Sequence, residues 1–418
     1  MNKRTKTALR RWCLYGWTFA KWTMAASAIG VVCGLIGTMF HFGVHEVTAF
    51  RGTHPWVLYL LPLAGFVIVS FYKLTETDGL GTDDIIDAVH EGKRLPILLL
   101  PAIFFGTVLT HLCGGSAGRE GAALQMGGTI GQCMGRTFRL DDRDLRVATL
   151  AGMAAFFSAL FGTPLAATVF AIMVISIGVI YHVALYPSLL AALVAYGVSV
   201  RLGVEPTRFT VAVPDQSVGM FVRVAALGVL CALVSILFCK LMHGAGHLMK
   251  RIKNPWLRVI CGGFAVIALT WIFGTDYNGA GMDVVTRAIE QETVAVPWAF
   301  LLKLVFTAVT LAAGFKGGEV VPSFFVGAAF GCVAAGWLGL PAGFGAAMGL
   351  VSVFCGAVNC PLASIILSVE LFGSGDLLYF AMACSISYLI SGYCGLYSSQ
   401  TILYSKLRAE FINVRTHE

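Results

Sequence analysis

Charged residues are scarce in this sequence. Asp, Glu, Lys and Arg make up 12% of the 418 residues, whereas 57% of the residues are hydrophobic. A typical soluble domain carries about 25% charged residues. The low charge and the mean hydropathy of +0.81 exclude an ordinary soluble protein and indicate a chain whose main solvent is lipid.

Sequence motifs of enzymes are absent as well. The nine histidines are isolated, and the sequence contains no nucleotide-binding loop, no nucleophile elbow and no cluster of residues at the spacing of metal ligands. The twelve cysteines are scattered through apolar segments without CxxC pairs, which favours a role in packing over a disulfide framework or a metal site. We therefore expect no enzymatic activity, no metal and no cofactor.

Long apolar stretches are what the sequence has instead. Nine of them approach or exceed the roughly 20 residues that a helix needs to span a bilayer, and Gly or Pro splits several of them. They lie at 23–40, 55–71, 95–110, 146–199, 221–239, 259–273, 298–313, 324–337 and 343–392. The sequence therefore predicts an all-α integral membrane protein.

Basic residues flank these stretches. The sequence before the first stretch has no small-residue cleavage site, which predicts a retained cytoplasmic amino terminus rather than a removed signal peptide. The net charge of +7 is modest, and its basic residues gather at helix ends, as at Lys250 and Arg251. This is the positive-inside bias of membrane proteins, so we expect lipid as a partner and no nucleic acid. The basic residues before the first stretch are Lys3, Arg4, Lys6, Arg10, Arg11 and Lys21.

An internal repeat divides the sequence. Glycine-rich motifs recur in the same order at an offset of 200 residues, and a later motif recurs at an offset of 197. Small residues also recur by chance in membrane helices, but four ordered pairs favour a true repeat. We predict one half at 1–210 and an inverted half at 211–418, joined near the polar stretch 205–217, with no soluble C-terminal regulatory domain. The pairs are Gly79, Gly81, Asp83 and Ala88 with Gly279, Gly281, Asp283 and Ala288; Gly118, Gly127 and Gly131 with Gly318, Gly327 and Gly331; and Gly152, Phe157, Pro164, Leu165 and Ala166 with Gly349, Phe354, Pro361, Leu362 and Ala363.

Interrupted segments at matching positions of the two halves point to the binding site of a transporter. The segments after Gly79 and Gly118, and after their repeat partners, are too short or too rich in glycine to span simply. A helix that begins inside the membrane directs free N–H groups and its positive dipole end at one spot, which suits an anion. Pro322 fits the first turn of such a helix. The predicted rims of one central site are Gly79-Leu80-Gly81, Gly118-Arg119-Glu120-Gly121, Gly317-Gly318-Glu319-Val320-Val321-Pro322 and Leu396-Tyr397-Ser398.

Glu120 stands between a glycine-rich turn and the apolar run 122–124, so an ionisable carboxylate lies at membrane depth. Such groups are energetically costly there and usually functional. A carboxylate that occupies an anion site when charged, and leaves it when protonated, serves both as a gate and as a proton carrier. The alternative is a neutralised carboxylate that pairs with Arg119 or caps a helix.

These residues resemble those of the chloride channel and transporter (CLC) superfamily. The segment 118–121 is similar to its gating-glutamate motif, 79–81 to its first anion-lining motif and 317–322 to its third, while Tyr397 stands where the family has a central tyrosine. The resemblance covers nearly the whole chain. It implies an inverted-repeat fold with about eighteen helical segments, many of them broken, and a homodimer with one pathway per subunit. It also implies a multi-pass protein of the inner (plasma) membrane with both termini in the cytoplasm.

Four departures from the family pattern concern the transported anion. Chloride-selective members carry a serine where this chain has Leu80, and an apolar residue after the glycine pair of the third motif where it has Glu319. Ala122 replaces a proline of the gating motif. Chloride/proton exchangers of the family also carry an internal glutamate at the position of Val174. Together these features resemble the bacterial fluoride/proton antiporter branch.

The sequence leaves the roles of two residues open. Glu319 either relays protons in place of the missing acid at Val174, or holds a counter-cation, or pairs with Lys316 as a structural residue. Tyr397 either directs its hydroxyl at the anion or lies at the membrane interface as an aromatic anchor. Asp83 and its repeat partner are expected to cap short helices. Gating and proton transfer are assigned to Glu120 and Glu319, and the anion pathway to Gly79, Leu80, Gly81, Gly118, Arg119, Gly121, Gly318, Val320, Val321 and Tyr397.

The predicted function is a proton-coupled anion antiporter, with fluoride export as its leading form. Fluoride is a compact and strong hydrogen-bond acceptor, so the N–H groups of half-helices and the hydroxyl of Tyr397 are suited to replace part of its water shell, while Leu80 helps to exclude larger anions. The expected partners are therefore fluoride or another small halide, and protons. The alternatives are a chloride/proton exchanger or a passive anion channel gated by Glu120.

Overall fold

The computed structural model describes residues 3–294, 296–375 and 377–416, and of residues 3–10 the backbone alone. The side chains of Lys3, Arg4, Lys6 and Arg10 lie outside this description, as do residues 1, 2, 417 and 418 at the ends of the two predicted halves. The described chain forms sixteen α-helices, two short 3₁₀ helices at Pro55–Leu60 and His182–Ala184, and three strands.

The helices before the predicted linker are α1 (Lys3–Thr53), α2 (Leu61–Leu74), α3 (Thr82–Glu91), α4 (Leu99–Leu112), α5 (Glu120–Thr137), α6 (Asp142–Phe161), α7 (Pro164–Met173) and α8 (Leu185–Arg201). Those after it are α9 (Val218–Met249), α10 (Pro255–Phe273), α11 (Met282–Glu290), α12 (Ala299–Ala313), α13 (Val320–Leu338), α14 (Ala342–Val358), α15 (Pro361–Phe372) and α16 (Leu377–Ile390). The strands are β1 (Ser176–Ile177), β2 (Thr401–Tyr404) and β3 (Phe411–Arg415).

Seven segments of the described chain are long and apolar enough to cross a bilayer. They are α1, α2 with the 3₁₀ turn before it, α6, α8 with its own preceding turn, α9, α10 and α13. In hydrocarbon every backbone N–H and C=O must be paired within the protein, and a helix pairs them within one segment. The structure thus agrees with the multi-pass architecture expected from the composition.

Each of the two longest apolar stretches is divided into three helices. In the first, Gly162 ends α6 in the left-handed region with φ 69°, and Pro164 begins α7. In the second, Asn359 ends α14 with φ 59°, and Pro361 begins α15. Proline has no N–H to leave unpaired at a helix start, so one helix ends and the next begins within three residues.

The short segments expected after the repeated glycines are present as α3 and α11, which have 10 and 9 residues. The expectation is wrong for α13, whose 19 residues are long enough to cross a bilayer. The run is apolar throughout, and Gly327 and Gly331 pack against α14 instead of interrupting the helix.

Eight α-helices lie on each side of the predicted linker in the described chain. Equivalent helices also cross at equivalent glycines. A Cβ on Gly127 or Gly152 would overlap the backbone at the crossing of α5 and α6, and one on Gly327 or Gly349 would overlap the backbone at the crossing of α13 and α14. These matching crossings support the division near residue 210, which stays a prediction.

A small sheet lies beside the end of α7, and the sequence did not predict it. β1 pairs with β2 in parallel, with Ser176 opposite Thr401, and β2 pairs with β3 in antiparallel. The chain after α16 lacks a further apolar run, and side chains of β3 alternate between exposed and half-buried, as in a strand with one covered face. The sheet holds the end of the described chain against the loop after α7, next to the segment that carries Tyr397.

Candidate functional site

The starts of α5 and α13 meet at two repeat-related glycines. The N–H of Gly118 donates to the carbonyl of Gly318 at 2.7 Å, and the N–H of Gly318 donates back to the carbonyl of Gly118 at 2.8 Å. A Cβ on Gly121 would lie 2.9 Å from the Cα of Gly318. Glycine permits this approach of the two backbones. Two helix N-termini therefore lie side by side, and their dipoles add positive potential at one place.

Glu120 is fully buried at the first position of α5, and its carboxylate reaches α13. Its Oε2 accepts a hydrogen bond at 3.1 Å from the N–H of Val321, one residue after α13 begins at Val320. Its Oε1 has no hydrogen-bond partner in the described chain. The carboxylate thus occupies the position that an anion takes at a helix N-terminus.

Arg119 does not hold this carboxylate in an ion pair. Its Nη1 donates to Nδ1 of His41 on α1 at 3.1 Å, and its guanidinium lies 5.8 Å from the centroid of the Phe161 ring. Arg119 is partly buried and directly precedes Glu120, so its positive charge acts on the carboxylate without a direct bond. The geometry therefore assigns Arg119 to the electrostatic surroundings of the gate and not to a bond with it.

A cavity of about 320 Å³ adjoins this junction. The first motif, Gly79-Leu80-Gly81, forms part of its wall, together with Glu319 and Tyr397. The predicted anion-pathway residues around the cavity are thus those of the first motif and Tyr397. Other predicted pathway residues form the junction of α5 and α13 beside it, namely Gly118, Gly121, Gly318, Val320 and Val321. The structure thus brings residues from four separate parts of the chain to one region.

Three buried polar groups in the cavity wall lack hydrogen-bond partners in the described chain. They are the hydroxyl of Tyr72, Oε2 of Glu319 and the hydroxyl of Tyr397. A buried polar group that is left unpaired costs about 1–3 kcal/mol, so such groups are retained where they have a task. Tyr397 is 2% exposed, which rules out the interfacial aromatic anchor considered for it. A free hydroxyl and a free carboxylate oxygen suit the binding of an anion and of a proton.

Glu319 precedes α13 at its N-cap position and does not pair with Lys316. The Nζ of Lys316 instead lies 4.1 Å from the centroid of the Tyr72 ring. Both residues line the cavity, but the structural pairing that the sequence left open is not formed in the described chain. The carboxylate therefore remains available for the cavity.

The first motif is connected to the segment of Tyr397 by Asp83. Its Oδ1 accepts a hydrogen bond from the N–H of Ser399 at 3.0 Å. The expectation that Asp83 caps α3 is wrong, because the capping carboxylate is that of Asp84, which accepts from the N–H of Gly81 at 2.8 Å. The two walls of the cavity are thus joined by one hydrogen bond.

Two residues that no sequence pattern indicated hold the segment of Tyr397 from the other side, Gln400 and Thr416. The Nε2 of Gln400 donates to the carbonyls of Val174 at 2.9 Å and Val358 at 3.0 Å. The hydroxyl of Thr416 donates to the carbonyl of Tyr397 at 2.6 Å. A buried amide therefore lies beside Val174, where chloride/proton exchangers of the resembling family carry an acid.

Lys303 was also not among the predicted site residues. The sequence does contain a signal for it, because Lys303 is the one charged residue of the apolar helix α12. It is fully buried, and its Nζ donates to the carbonyls of Tyr277 at 3.1 Å and Gly279 at 2.6 Å. A buried basic residue therefore holds the loop before α11, the counterpart of the first motif.

Comparison with known proteins gives the following similarities. The sequence model of the voltage gated chloride channel family matches residues 64–392. A chloride/fluoride channel protein of Pseudomonas syringae pv. tomato is 38% identical over 399 residues, which cover 93% of this chain and 88% of that protein. The H(+)/Cl(-) exchange transporter ClcA of Cronobacter sakazakii is 26% identical over 412 residues, 90% of this chain and 88% of that protein. The crystal structure of a CLC-type fluoride/proton antiporter superposes with a TM-score of 0.89 at 33% identity, over 92% of this chain and 99% of that one.

Proposed function

Because this chain belongs to the voltage-gated chloride channel family, we propose that it is a membrane transporter that exchanges fluoride for protons. The predicted resemblance to the family is confirmed. The proteins similar to it over more than nine tenths of its length include a chloride/fluoride channel protein and a fluoride/proton antiporter, and neither is named as an enzyme.

The position of the Glu120 carboxylate is the observation that carries the proposal. When charged, it accepts the N–H of Val321 and fills the anion position at the start of α13. When protonated, it loses its attraction to the helix dipole, so an anion replaces it and the proton leaves with the side chain. One carboxylate thereby makes anion binding and proton binding depend on each other, which is the requirement for exchange.

Leu80 supports fluoride as the anion. It lines the cavity with an apolar side chain, so the first motif offers backbone but no hydroxyl at this position. Fluoride forms the strongest hydrogen bonds of the halides, and the hydroxyl of Tyr397 is free to donate one. A larger, more weakly accepting halide gains less from these donors and needs the room that Leu80 fills.

Glu319 is the proposed second proton group. Position 174 holds a valine, which has no acidic side chain to pass a proton on. Its backbone carbonyl accepts a hydrogen bond from Gln400. Glu319 is buried in the cavity wall with one carboxylate oxygen free. Gly318, the residue before Glu319, is bonded to Gly118 two residues before Glu120, so a second carboxylate lies close to the gate as a proton acceptor.

A passive anion channel gated by Glu120 is the second candidate. The absence of an acid at Val174 favours it, because a chain without a proton route past the gate moves anions alone. The two candidates differ in one observable, which is whether proton movement accompanies anion movement in a fixed ratio.

The cellular setting is proposed from the resemblance and from charge. We propose a homodimer in the inner membrane with both termini in the cytoplasm. The start of α7 packs against the end of α15, where the N–H groups of Leu165 and Ala166 donate to the carboxylate of Glu370. Leu165 and Leu362 are about half exposed, which supplies apolar side chains for contact with a second subunit or with lipid. Multi-angle light scattering of the protein in detergent checks the dimer.

The experiment that tests the function is a flux assay with purified protein in liposomes. Liposomes loaded with fluoride or chloride are diluted into a medium that contains neither halide, and the halide and proton concentrations are followed together. Fluoride efflux with proton uptake, and little chloride efflux, supports the proposal. Fluoride efflux without proton movement supports the channel instead, and comparable chloride efflux contradicts the fluoride preference.

A further inference from the structure

We propose that a second cavity, at the C-terminal ends of α3 and α5, is a binding site for a phosphate group. The cavity has a volume of about 250 Å³ and is lined by three arginines, Arg94, Arg136 and Arg146. Of the described residues in its wall, Asp142 alone is acidic. The cavity lies at the ends of α3 and α5 opposite to those that form the anion site, so it is a separate site with an excess of positive charge.

The positive charge in this cavity is only partly offset, because three arginines share its wall with one acid, Asp142. The nearby acids are engaged elsewhere, since Lys93 pairs with Asp87 at 3.7 Å and with Glu91 at 2.9 Å. None of the three arginines takes part in an ion pair of the described chain. The Nε of Arg146 is buried and has no hydrogen-bond partner there. A buried donor without an acceptor is costly, so the cavity is suited to an anionic ligand.

The wall of the cavity is fixed in advance by Gln132, which is 3% exposed. Its Oε1 accepts from the guanidinium of Arg136 and, at 2.8 Å, from the N–H of Leu95. Its Nε2 donates to the carbonyl of Lys93 at 2.9 Å. One buried amide therefore orients Arg136 and ties down the loop on which Arg94 lies, which lowers the entropy lost when a ligand binds.

Three arginines in one cavity wall favour phosphate among anions. A guanidinium presents its N–H donors in a fixed fork that matches the oxygens of a phosphate in pairs. The positive-inside rule also places arginines at one face of a membrane protein, but it asks for no common cavity and no buried, unpaired Nε. Arg143, which lies three residues before Arg146 on α6 and is exposed, represents such a surface arginine.

The phosphate can come from the headgroup of an anionic phospholipid or from a soluble phosphate compound. Basic pockets beside membrane helices are typical sites for lipid headgroups. Lys21 on α1 pairs with Asp144 near the start of α6, the end of that helix that contributes Asp142 and Arg146 to the cavity. Both sources share one chemistry, and the experiment below separates them.

The test uses the full-length protein with two probes. Native mass spectrometry measures retention of phosphatidylglycerol against phosphatidylcholine, and calorimetry measures binding of inorganic phosphate in phosphate-free buffer. Wild-type protein and Arg143→Gln should bind with equal affinity. The affinity of Arg146→Gln should be lower than that of wild type by a factor of at least about ten. Arg146→Lys, which keeps the charge but not the fork, should also bind more weakly than wild type.

The pattern of binding identifies the source. Retained phosphatidylglycerol without inorganic phosphate binding assigns the site to lipid, and the reverse result assigns it to a soluble phosphate. Saturable binding of neither probe overturns the proposal, and so does equal binding by wild type and Arg146→Gln. If Arg146→Gln does not remain monodisperse, the exposed Arg94→Gln takes its place with the same expected loss and the same refuting result.

Discussion

Replacement of Glu120 by glutamine separates its two roles. The amide cannot titrate, so Glu120→Gln should abolish proton coupling. Its carbonyl oxygen can still accept the N–H of Val321, which now lies 3.1 Å from Oε2. The side chain should therefore still enter the anion position, but as a neutral group with a weaker hold on it.

The size of this weakening follows from the single hydrogen bond. A hydrogen bond to a charged partner contributes about 1.5–3 kcal/mol, and one between neutral groups about 0.5–1.5 kcal/mol. The difference of about 1–2 kcal/mol corresponds to a factor of about 5–30 in an equilibrium constant. Because the side chain and the anion compete for one position, fluoride binding to Glu120→Gln should be tighter than to wild type by up to that factor.

Two measurements check this prediction. Calorimetry of the purified protein gives the fluoride affinity, and paired fluoride and proton fluxes in liposomes give the coupling. Glu46→Gln is the matched control, because Glu46 lies on α1 with a side chain that is 76% exposed, and both quantities should stay at the wild-type value. Proton coupling that persists in Glu120→Gln, or fluoride affinity that falls, would refute the assignment of Glu120 as the gate.

Three further predictions concern other residues. Leu80→Ser should raise chloride flux relative to fluoride, since it adds a hydroxyl donor and room to the cavity wall; an unchanged ratio in competing fluxes would remove Leu80 from the pathway. Glu319→Gln should leave the melting temperature nearly unchanged, because no ion pair is broken, while fluoride/proton exchange falls towards that of empty liposomes; exchange at the wild-type rate would make Glu319 structural. Burial lowers the pKa of Lys406 from 10.5 to about 8, so between these values the unfolded chain binds more protons and stability should rise with pH. Lys406→Met should lose that rise in thermal unfolding scans, and an unchanged slope would contradict the burial of the charge.

The helices were predictable wherever the sequence contains strong local signals. Pro164 and Pro361 divide long apolar runs at the places where α7 and α15 begin. The similarity to solved structures of the family confirms the predicted all-α membrane fold. The sheet could not be predicted, because β1 has two residues and its partner β2 lies more than 200 residues away. Such a pairing depends on the packing of the whole chain and leaves no local pattern.

The site was predictable in its residue types and less so in its contacts. The motifs indicated Glu120, Leu80 and Tyr397, and the structure places Glu120 at the junction of α5 and α13 and the other two in the wall of the adjoining cavity. The bond from Ser399 to Asp83 was not foreseen, because a helix-capping role explained the same aspartate locally. Gln400 carries no signal in the sequence either, since its task depends on carbonyls contributed by distant helices.

Uphill proton transport tests the central claim most directly. Liposomes with a tenfold outward fluoride gradient hold about 1.4 kcal/mol per ion, whereas an opposing pH gradient of about 0.5 unit costs about 0.7 kcal/mol per proton. With the membrane potential clamped near zero, the exchanger should move protons into the liposomes against that pH gradient as fluoride leaves, and Glu120→Gln should not. Fluoride that leaves while protons only run down their own gradient would contradict coupled exchange and identify the protein as a passive anion channel.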